Sequence, residues 1–342
     1  MKQYLEKMLE AENLSKQEMK QAVLKGFSGQ ASDSELAAFL VALRSKGETA
    51  EEIAALVEVI REQSSFTFSP VSGVMDNCGT GGDGSHSFNI STTSAFVIAG
   101  AGVTVAKHGN RSISSSTGSA DVLEALGVSL DFGTPQIEEI LQENKIAFLY
   151  APHMHQGLRR YMKVRRELRI PTIFNLIGPL TNPVQLDSQL VGIYRRDMLS
   201  MIAAVLYHLG RKRAVVVNGA DHMDEASLAG ENHLILMDKG EFIPFTIQPE
   251  ELGLPTYDNS KIKGGSARDN AEILLDVLRG KPGPYYDTVL LNAAIGLFAN
   301  GAAATIQDGV QLARESLESG AALSKLEYLI QYSKPVTAGN SL

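Results

Sequence analysis

The sequence predicts an α/β protein: a small N-terminal helical domain, residues 1–66, ahead of a larger α/β domain, residues 74–335, with a central, largely parallel sheet. Three observations predict it. Capping-box patterns recur through the first 66 residues, each leading into a helical stretch. From about residue 74, short β-rich runs alternate with helical stretches. Between the two textures lies "SSFTFSPVSG", residues 64–73, which reads as a linker rich in Ser and Pro.

Taken in order, Ser15-Lys16-Gln17-Glu18, Ser32-Asp33-Ser34-Glu35 and Thr49-Ala50-Glu51-Glu52 each fit the capping box. "LAAFLVALRSK" then stops at Gly47, and "IAALVEVIREQ" spaces its apolar residues as a helix does. This segment carries no nameable chemistry and reads as a module that packs or pairs. Beyond the linker, "VTVAKH", "IAFLYAP", "PTIFNLIG", "AVVVNG", "LILM" and "TVLLNAA" read as β-rich, while "SADVLEALG" and "NAEILLDVLRG" read as helices. The final "QYSKPVTAGNSL" reads as a loose tail.

Bulk composition narrows the class. The 342 residues are 44% hydrophobic and 20% charged, which is ordinary for a globular chain. A formal net charge of -8 argues against a general nucleic-acid or membrane-surface binder, while leaving room for a local basic site. The single cysteine, Cys78, permits no intrachain disulfide and suits a reducing compartment. "MKQYLEKMLEAENL" has no apolar core of a signal peptide, and no apolar run approaches the ~20 residues of a membrane span. The expectation is a cytoplasmic protein.

The stretch "DNCGTGGDGSHSFNISTTSAFVIAGAGVTVAKHGNR" carries the chemistry. Gly79, Gly81 and Gly84 spell GxGxxG, but a dinucleotide site also needs a helix opening at the glycines and an acid after the next strand. Here Ser87 to Thr93 intervenes, with hydroxyls and an amide able to cap the following helix, and the next strand ends in Lys107. A nucleotide P-loop fails too, because Ser85-His86 stands where Lys-Ser is required. What remains is a different phosphate cradle. Glycines bring backbone N–H groups close to an anion, and a helix N-terminus adds donors and partial positive charge. Ser91 and Thr92 add hydroxyls, and Ser91 could also offer oxygen to a metal.

The continuation from Lys107 to Asp121 is unusually polar for a strand-to-helix loop. Lys107 and Arg111 supply charge, and Ser114, Ser115, Ser116, Thr117 and Ser119 supply hydroxyls for a second phosphate. Asn110 offers a donor and an acceptor. His108 reads equally as a base or as a wall residue. Asp121 and Glu124 suit a helix's first turn.

GTGGDG, FNIST, KHGNR and GSAD, in this order and spacing, resemble the anthranilate phosphoribosyltransferase family. The similarity runs over nearly the whole chain and includes "RRELRIPTIFNLIGPLTNP" (165–183) and "DEASL" (224–228). The resemblance implies the fold shared by nucleoside phosphorylases and such transferases, with helices near 165–190 joining the N-terminal domain. It implies transfer of phosphoribose from phosphoribosyl pyrophosphate to the anthranilate amine, giving N-(5-phosphoribosyl)anthranilate and pyrophosphate, in tryptophan biosynthesis. Mg²⁺ is the implied cofactor. The implied partners are these small molecules and a second copy through the helical domain, with no nucleic acid and no membrane.

The same resemblance assigns residues. Gly79, Gly82, Asp83, Ser87, Asn89, Ile90, Ser91 and Thr92 fall at the pyrophosphate, and Lys107, Asn110, Arg111, Ser114, Ser115 and Ser119 complete the phosphoribosyl pyrophosphate set. Gly79, His108, Asn110 and Gly178 fall at anthranilate, whose carboxylate Arg165 would grip by bidentate bonding, with Arg166 adjacent. Ser91, Asp224 and Glu225 fall at the metal; adjacent carboxylates suit Mg²⁺. No residue is assigned as acid or base. An aromatic amine is neutral at pH 7, and the chain shows no Ser-His-Asp or Cys-His pattern. Five positions depart from the family: Ser87 for threonine, Ser116 for lysine, Gln156-Gly157 for Pro-Ala, and His222 for glycine. Two alternatives are a pyrimidine nucleoside phosphorylase, whose helix signature "NRSISSSTGSADVLE" resembles, and a non-catalytic nucleic-acid-binding relative. The acid pair argues against both, and the net charge against the second.

Overall fold

A computed structural model describes residues 1–111 and 117–334. Four helices come first: α1 (Lys2–Leu9), α2 (Lys16–Phe27), α3 (Asp33–Lys46) and α4 (Ala50–Glu62). The capping boxes are formed. Ser15, Ser32 and Thr49 accept the backbone N–H of Glu18, Glu35 and Glu52, and each acid reaches back to its cap residue. Such caps contribute about 1 kcal/mol each. Gly47 ends α3 with φ 89°, a conformation that disfavours other residues.

The chain then alternates: β1 (Met75–Gly79), α5 (Ile90–Gly100), β2 (Val105–Gly109), α6 (Ser119–Ala125), α7 (Thr134–Asn144) and β3 (Ile146–Tyr150). Two short helices follow, α8 (Ala151–Met154) and α9 (Arg159–Leu168), then β4 (Ser188–Gly192), α10 (Leu199–His208), β5 (Arg213–Asn218), β6 (Asn232–Asp238) and β7 (Glu241–Ile247). Helices α11 (Ala267–Leu278), α12 (Pro284–Asn300), α13 (Ile306–Glu318) and α14 (Ala321–Tyr332) close the chain.

The seven strands lie in the order β3-β2-β1-β4-β5-β6-β7. The first five are parallel, and β6 and β7 add antiparallel. Register aligns the C-terminal ends, with Gly79 opposite Gly192 and Gly192 opposite Val217. In a parallel sheet this edge is where ligands bind.

Alternation along β5 divides the apolar interior. Ala214 and Val216 join the cluster built by α1–α4, α9, α10 and the segment 173–180, while Val215 and Val217 join the cluster with α5 and α11–α14. The N-terminal helices therefore pack into one core with one face of the sheet. Tyr161 of α9 seals this join: its hydroxyl donates to Val23 O at 2.8 Å, and its ring leaves no room for a Cβ on Gly26.

Two β-rich readings are corrected. "PTIFNLIG" forms 3-10 turns at Ile173–Asn175 and Gly178–Thr181, because its apolar side chains fill the helical core and Asn175 Oδ1 accepts the Thr172 N–H at 2.9 Å. "TVLLNAA" lies inside α12, which is buried on nearly every side, so its apolar run has no helical period to read. The stretch read as a tail is helical at its start. Gln331 and Tyr332 belong to α14, where Tyr332 donates to Glu139 at 2.7 Å; residues 335–342 lie outside the described residues. Among the described residues no helix is long and apolar enough to cross a membrane.

Candidate active site

At the end of β1 the chain turns through glycines. Gly81, Gly82 and Gly84 take φ of 68°, 81° and 73°, which turns successive peptide groups in ways a side chain would resist. Gly81 donates its N–H to Asp224 Oδ2 at 2.5 Å. Asp83 accepts the Ser85 N–H and hydroxyl at 3.0 Å with one oxygen, and the Asp224 N–H at 3.4 Å with the other. Ser87 then bridges to Lys263, and α5 opens at Ile90.

The helix is not capped as its sequence suggests. Asn89 sits at the N-cap without a capping bond; its Nδ2 donates to Thr117 O at 3.3 Å and its Oδ1 accepts from Asn270 at 2.8 Å. Instead the Glu225 carboxylate lies near the Ser91 hydroxyl and backbone. An acid from a distant loop thus lies near the positive end of α5, which offsets part of the burial that raises its pKa. Ile90 and Thr92 are buried beside it.

Backbone packing fixes the acid pair. A Cβ on Gly79, Gly192 or Gly219, at the ends of β1, β4 and β5, would collide with Asp224 or Glu225. Asn218 donates to Ile193 O at 2.8 Å and Met223 O at 3.4 Å, and Asn292 clasps Ala226 through its N–H and carbonyl at 2.9 and 2.8 Å. Asp221 and His222 take φ of 59° and 61° on the approach. Left-handed backbone explains why a glycine suits position 222 and how a histidine there is tolerated. His222 itself is exposed.

Burial raises the pKa of Asp224 well above the usual range, and the charges of Glu225 and Asp83 raise it further. Glu225 is raised by burial and by Asp83, against the nearby Lys107 ammonium and Ser91. Three carboxylates thus crowd one end of the sheet, with the Lys107 ammonium near Glu225. Asp224, Glu225 and the Ser91 hydroxyl are oxygen donors suited to Mg²⁺. Among the described residues no three His, Cys, Asp or Glu side chains converge on one point.

Lys107 of β2 is buried, with Nζ 3.5 Å from His108 O. Next to it Asp76 of β1, also buried, accepts the His108 N–H at 3.3 Å and Asn182 Nδ2 at 3.0 Å. Asn110 O accepts from Ala120 N at 3.3 Å and from Ser119 Oγ at 3.2 Å, so loop and helix α6 meet there. Arg111 turns to Asp121 at 2.8 Å, Glu124 at 2.7 Å and the Tyr150 hydroxyl at 3.2 Å. Its charge is engaged by α6. Ser114, Ser115 and Ser116 lie outside the described residues.

On the other side, the His108 ring lies near the Gly178 backbone and meets His155 edge-on, with centroids 5.5 Å apart. Burial, with the His155 and Lys107 charges, lowers the His108 pKa to about 3; burial lowers His155 to about 4. Both rings are neutral near pH 7, and His108 is a poor base there. Arg165 of α9 lies over the Phe174 ring at 5.4 Å and donates to Asn175 at 3.3 Å, while Arg166 is exposed. Arg165 has no ion pair among the described residues, and burial lowers its pKa. Gly157 has its own reason: a Cβ there would stand 2.7 Å from Phe27.

The structure thus gathers Gly79, Asp83, Ser91, Lys107, Asp224 and Glu225 at one edge, links Asn89 to Thr117, and sets His108 near Gly178. Sequence reasoning missed Asp76, Gly192, Asn218, Gly219 and Asn270. Of these only Asn218-Gly219, directly after the apolar run "AVVV", carried a visible turn signal.

Comparison with known proteins agrees with this architecture. Residues 2–64 match the helical bundle domain of a glycosyl transferase family, and residues 71–323 match its a/b domain. An anthranilate phosphoribosyltransferase of Exiguobacterium sibiricum is 60% identical over 96% of this chain and 97% of its own, and one of Oceanobacillus iheyensis is 58% identical over 98% and 99%. The crystal structure of the Thermus thermophilus anthranilate phosphoribosyltransferase superposes with a TM-score of 0.91 at 38% identity, covering 97% of this chain and 99% of that one. The Saccharomyces cerevisiae enzyme, in complex with phosphoribosyl pyrophosphate and Mg, superposes with a TM-score of 0.88 at 28% identity, covering 97% of each. The chain belongs to the anthranilate phosphoribosyltransferase family.

Proposed function

We propose that the chain transfers the phosphoribosyl group of phosphoribosyl pyrophosphate to the amine of anthranilate, releasing pyrophosphate, as a step of tryptophan biosynthesis in the cytoplasm. The observation that carries this is the Asp224–Glu225 pair, held against the glycine loop and the start of α5 by glycines that admit no side chain. A leaving pyrophosphate needs charge neutralised at a fixed place. Bound Mg²⁺, held by Asp224, Glu225 and Ser91, would supply that neutralisation. Gly79, Gly82, Asp83, Ser87 and Asn89 would shape the pyrophosphate side, with Ile90 and Thr92 behind them. Lys107, Asn110, Ser114, Ser115 and Ser119 would take the ribose phosphate side. Arg111 would join them by leaving Asp121 and Glu124.

For the acceptor, Arg165 would bind the carboxylate, its stacking on Phe174 limiting its motion. Gly79, His108, Asn110 and Gly178 would line the ring. A neutral His108 suits a wall residue. The amine is neutral at pH 7 and needs only orientation behind C1, so alignment supplies much of the rate. The nucleoside phosphorylase reading, despite the helix signature, leaves the acid pair without a role, since phosphorolysis requires none.

A homodimer through the N-terminal helices is part of this reading. Leu9, Leu24 and Val41 are exposed there, and an open cleft of about 630 Å³ lies beside Tyr4, Leu24 and Phe27. The test of the activity is loss of anthranilate fluorescence on adding phosphoribosyl pyrophosphate and Mg²⁺, with the product's mass measured. A chain that consumes no anthranilate under these conditions does not have this function.

A further inference from the structure

Segment 262–270 was not singled out by any motif, yet it is bound to the exit of the glycine loop. Phe88 donates its N–H to Ile262 O at 3.0 Å, and Gly264 donates its N–H to His86 O at 2.9 Å. A Cβ on Gly264 would stand 2.9 Å from Phe88 Cα and 2.7 Å from Asn270 Oδ1, so the segment is pressed against the loop. Thr117 donates its hydroxyl to Gly265 O at 2.8 Å and ties in the other phosphate-side loop.

Within this strut, Asn270 settles which way Asn89 faces. The Gly265 backbone N–H, which can only donate, lies 2.8 Å from the Asn270 side chain. The atom it meets is therefore Asn270 Oδ1, and Asn270 Nδ2 is the group pointing to Asn89 at 2.8 Å. A donor there requires Asn89 Oδ1 opposite it. Asn89 Nδ2 is thus turned away, 3.3 Å from Thr117 O, a long bond easily given up. Asn270 is only 2% exposed, so water does not compete for these bonds.

We propose that Asn270 is a positioning residue: by fixing the Asn89 amide it makes Asn89 present N–H, never C=O, to the pyrophosphate. This rests on the reading of Asn89 as a pyrophosphate contact. An asparagine facing an anion is useful in one orientation and repulsive in the other, and nothing in Asn89 itself selects between them. Asn270→Asp keeps the acceptor for Gly265 N–H but replaces the donor with a second acceptor. The Asn89 amide then does best by rotating, which aims its oxygen at the phosphate.

The experiment is a double-variant cycle on the full-length chain, reading KM for phosphoribosyl pyrophosphate, KM for anthranilate and kcat, with thermal melting beside them. Asn270→Asp is expected to raise KM for phosphoribosyl pyrophosphate by about tenfold or more, the value of one lost hydrogen bond to a charged group, with KM for anthranilate within about twofold. Asn89→Ala is expected to raise the same constant. The pair together should be no worse than Asn89→Ala alone, because Asn270 acts through Asn89. Asn270→Ala, which frees the amide without adding charge, serves the same cycle should the aspartate fail to fold. Additive losses in the pair, or an unchanged KM in a folded Asn270 variant, overturn the inference. An unchanged KM in Asn89→Ala removes the pyrophosphate reading of Asn89 and the inference with it.

Discussion

The main-chain carbonyl of Asp224 occupies the place where a Cβ on Gly192 would stand. The same residue closes against Gly79 on the neighbouring strand, and Glu225 closes against Gly219. The backbone of the acid pair is therefore located by contact with three strand ends and cannot drift without moving the sheet edge. Acids held in this way would keep a bound Mg²⁺ at a fixed place, so the charge that neutralises a leaving pyrophosphate needs no reorganisation.

Gly192→Ala follows directly. The methyl must displace backbone, so it should destabilise the fold by about 1–3 kcal/mol and lower kcat/KM about 100-fold by shifting the acids. Urea unfolding and anthranilate turnover check both. A variant with normal turnover would mean that the pair tolerates displacement.

Asp224→Asn should separate stability from activity. Burial and the neighbouring Glu225 and Asp83 disfavour the Asp224 charge. Removing it should raise stability by about 1 kcal/mol without Mg²⁺ while activity collapses. Mg²⁺ with pyrophosphate should raise the melting temperature of the parent chain and leave that of the variant unchanged.

A second buried charge sits far from the chemistry. Lys46 donates to Glu52 at 2.8 Å with both side chains buried, and Glu52 also accepts the Leu14 and Thr49 N–H groups at 2.8 and 2.9 Å. Lys46→Met leaves that carboxylate without its cation. The expected loss is about 3 kcal/mol in denaturant unfolding, with kcat unchanged at a temperature where the variant is folded.

Acid should weaken the fold through two histidines. His108 and His155 are held neutral, with pKa values lowered to about 3 and about 4. In the unfolded chain each binds a proton near pH 6.5, so the unfolded state binds more protons below that pH. Their contribution is complete above pH 6.5 and is lost as pH falls towards 4 and then 3, at up to ~1.4 kcal/mol per pH unit for each ring. The buried acids, raised in the fold, act with the opposite sign. The discriminating quantity is therefore a difference: His155→Gln should flatten the slope of unfolding free energy between pH 6.5 and 5 by about one proton. Equal slopes would show that His155 does not titrate on unfolding.

What the sequence makes legible is local. Ser15, Ser32 and Thr49 form their caps because a cap needs only the next three residues. The apolar runs of β2, β3, β5 and β6 are legible for a similar reason. β1 and β4 are not, because they bury Asp76, Asn77, Ser188 and Gln189, whose partners come from distant segments. α12 misleads by being apolar all round. In the candidate site, the glycine loop and Asp224-Glu225 stand out as motifs. Gly192, Gly219 and Asn270 do not, since each acts on a residue that only the fold brings near. Arg111 shows the converse: its charge is plain in the sequence, and its engagement with Asp121 and Glu124 is not.

The most direct test of the central claim compares the parent chain with an Asp224→Asn, Glu225→Gln double variant in steady-state turnover of anthranilate and phosphoribosyl pyrophosphate across a Mg²⁺ titration. The account predicts Mg²⁺-dependent turnover in the parent and a loss of about 100-fold or more in the variant at every Mg²⁺ concentration. Turnover in the folded double variant close to that of the parent, with the same Mg²⁺ dependence, would contradict it.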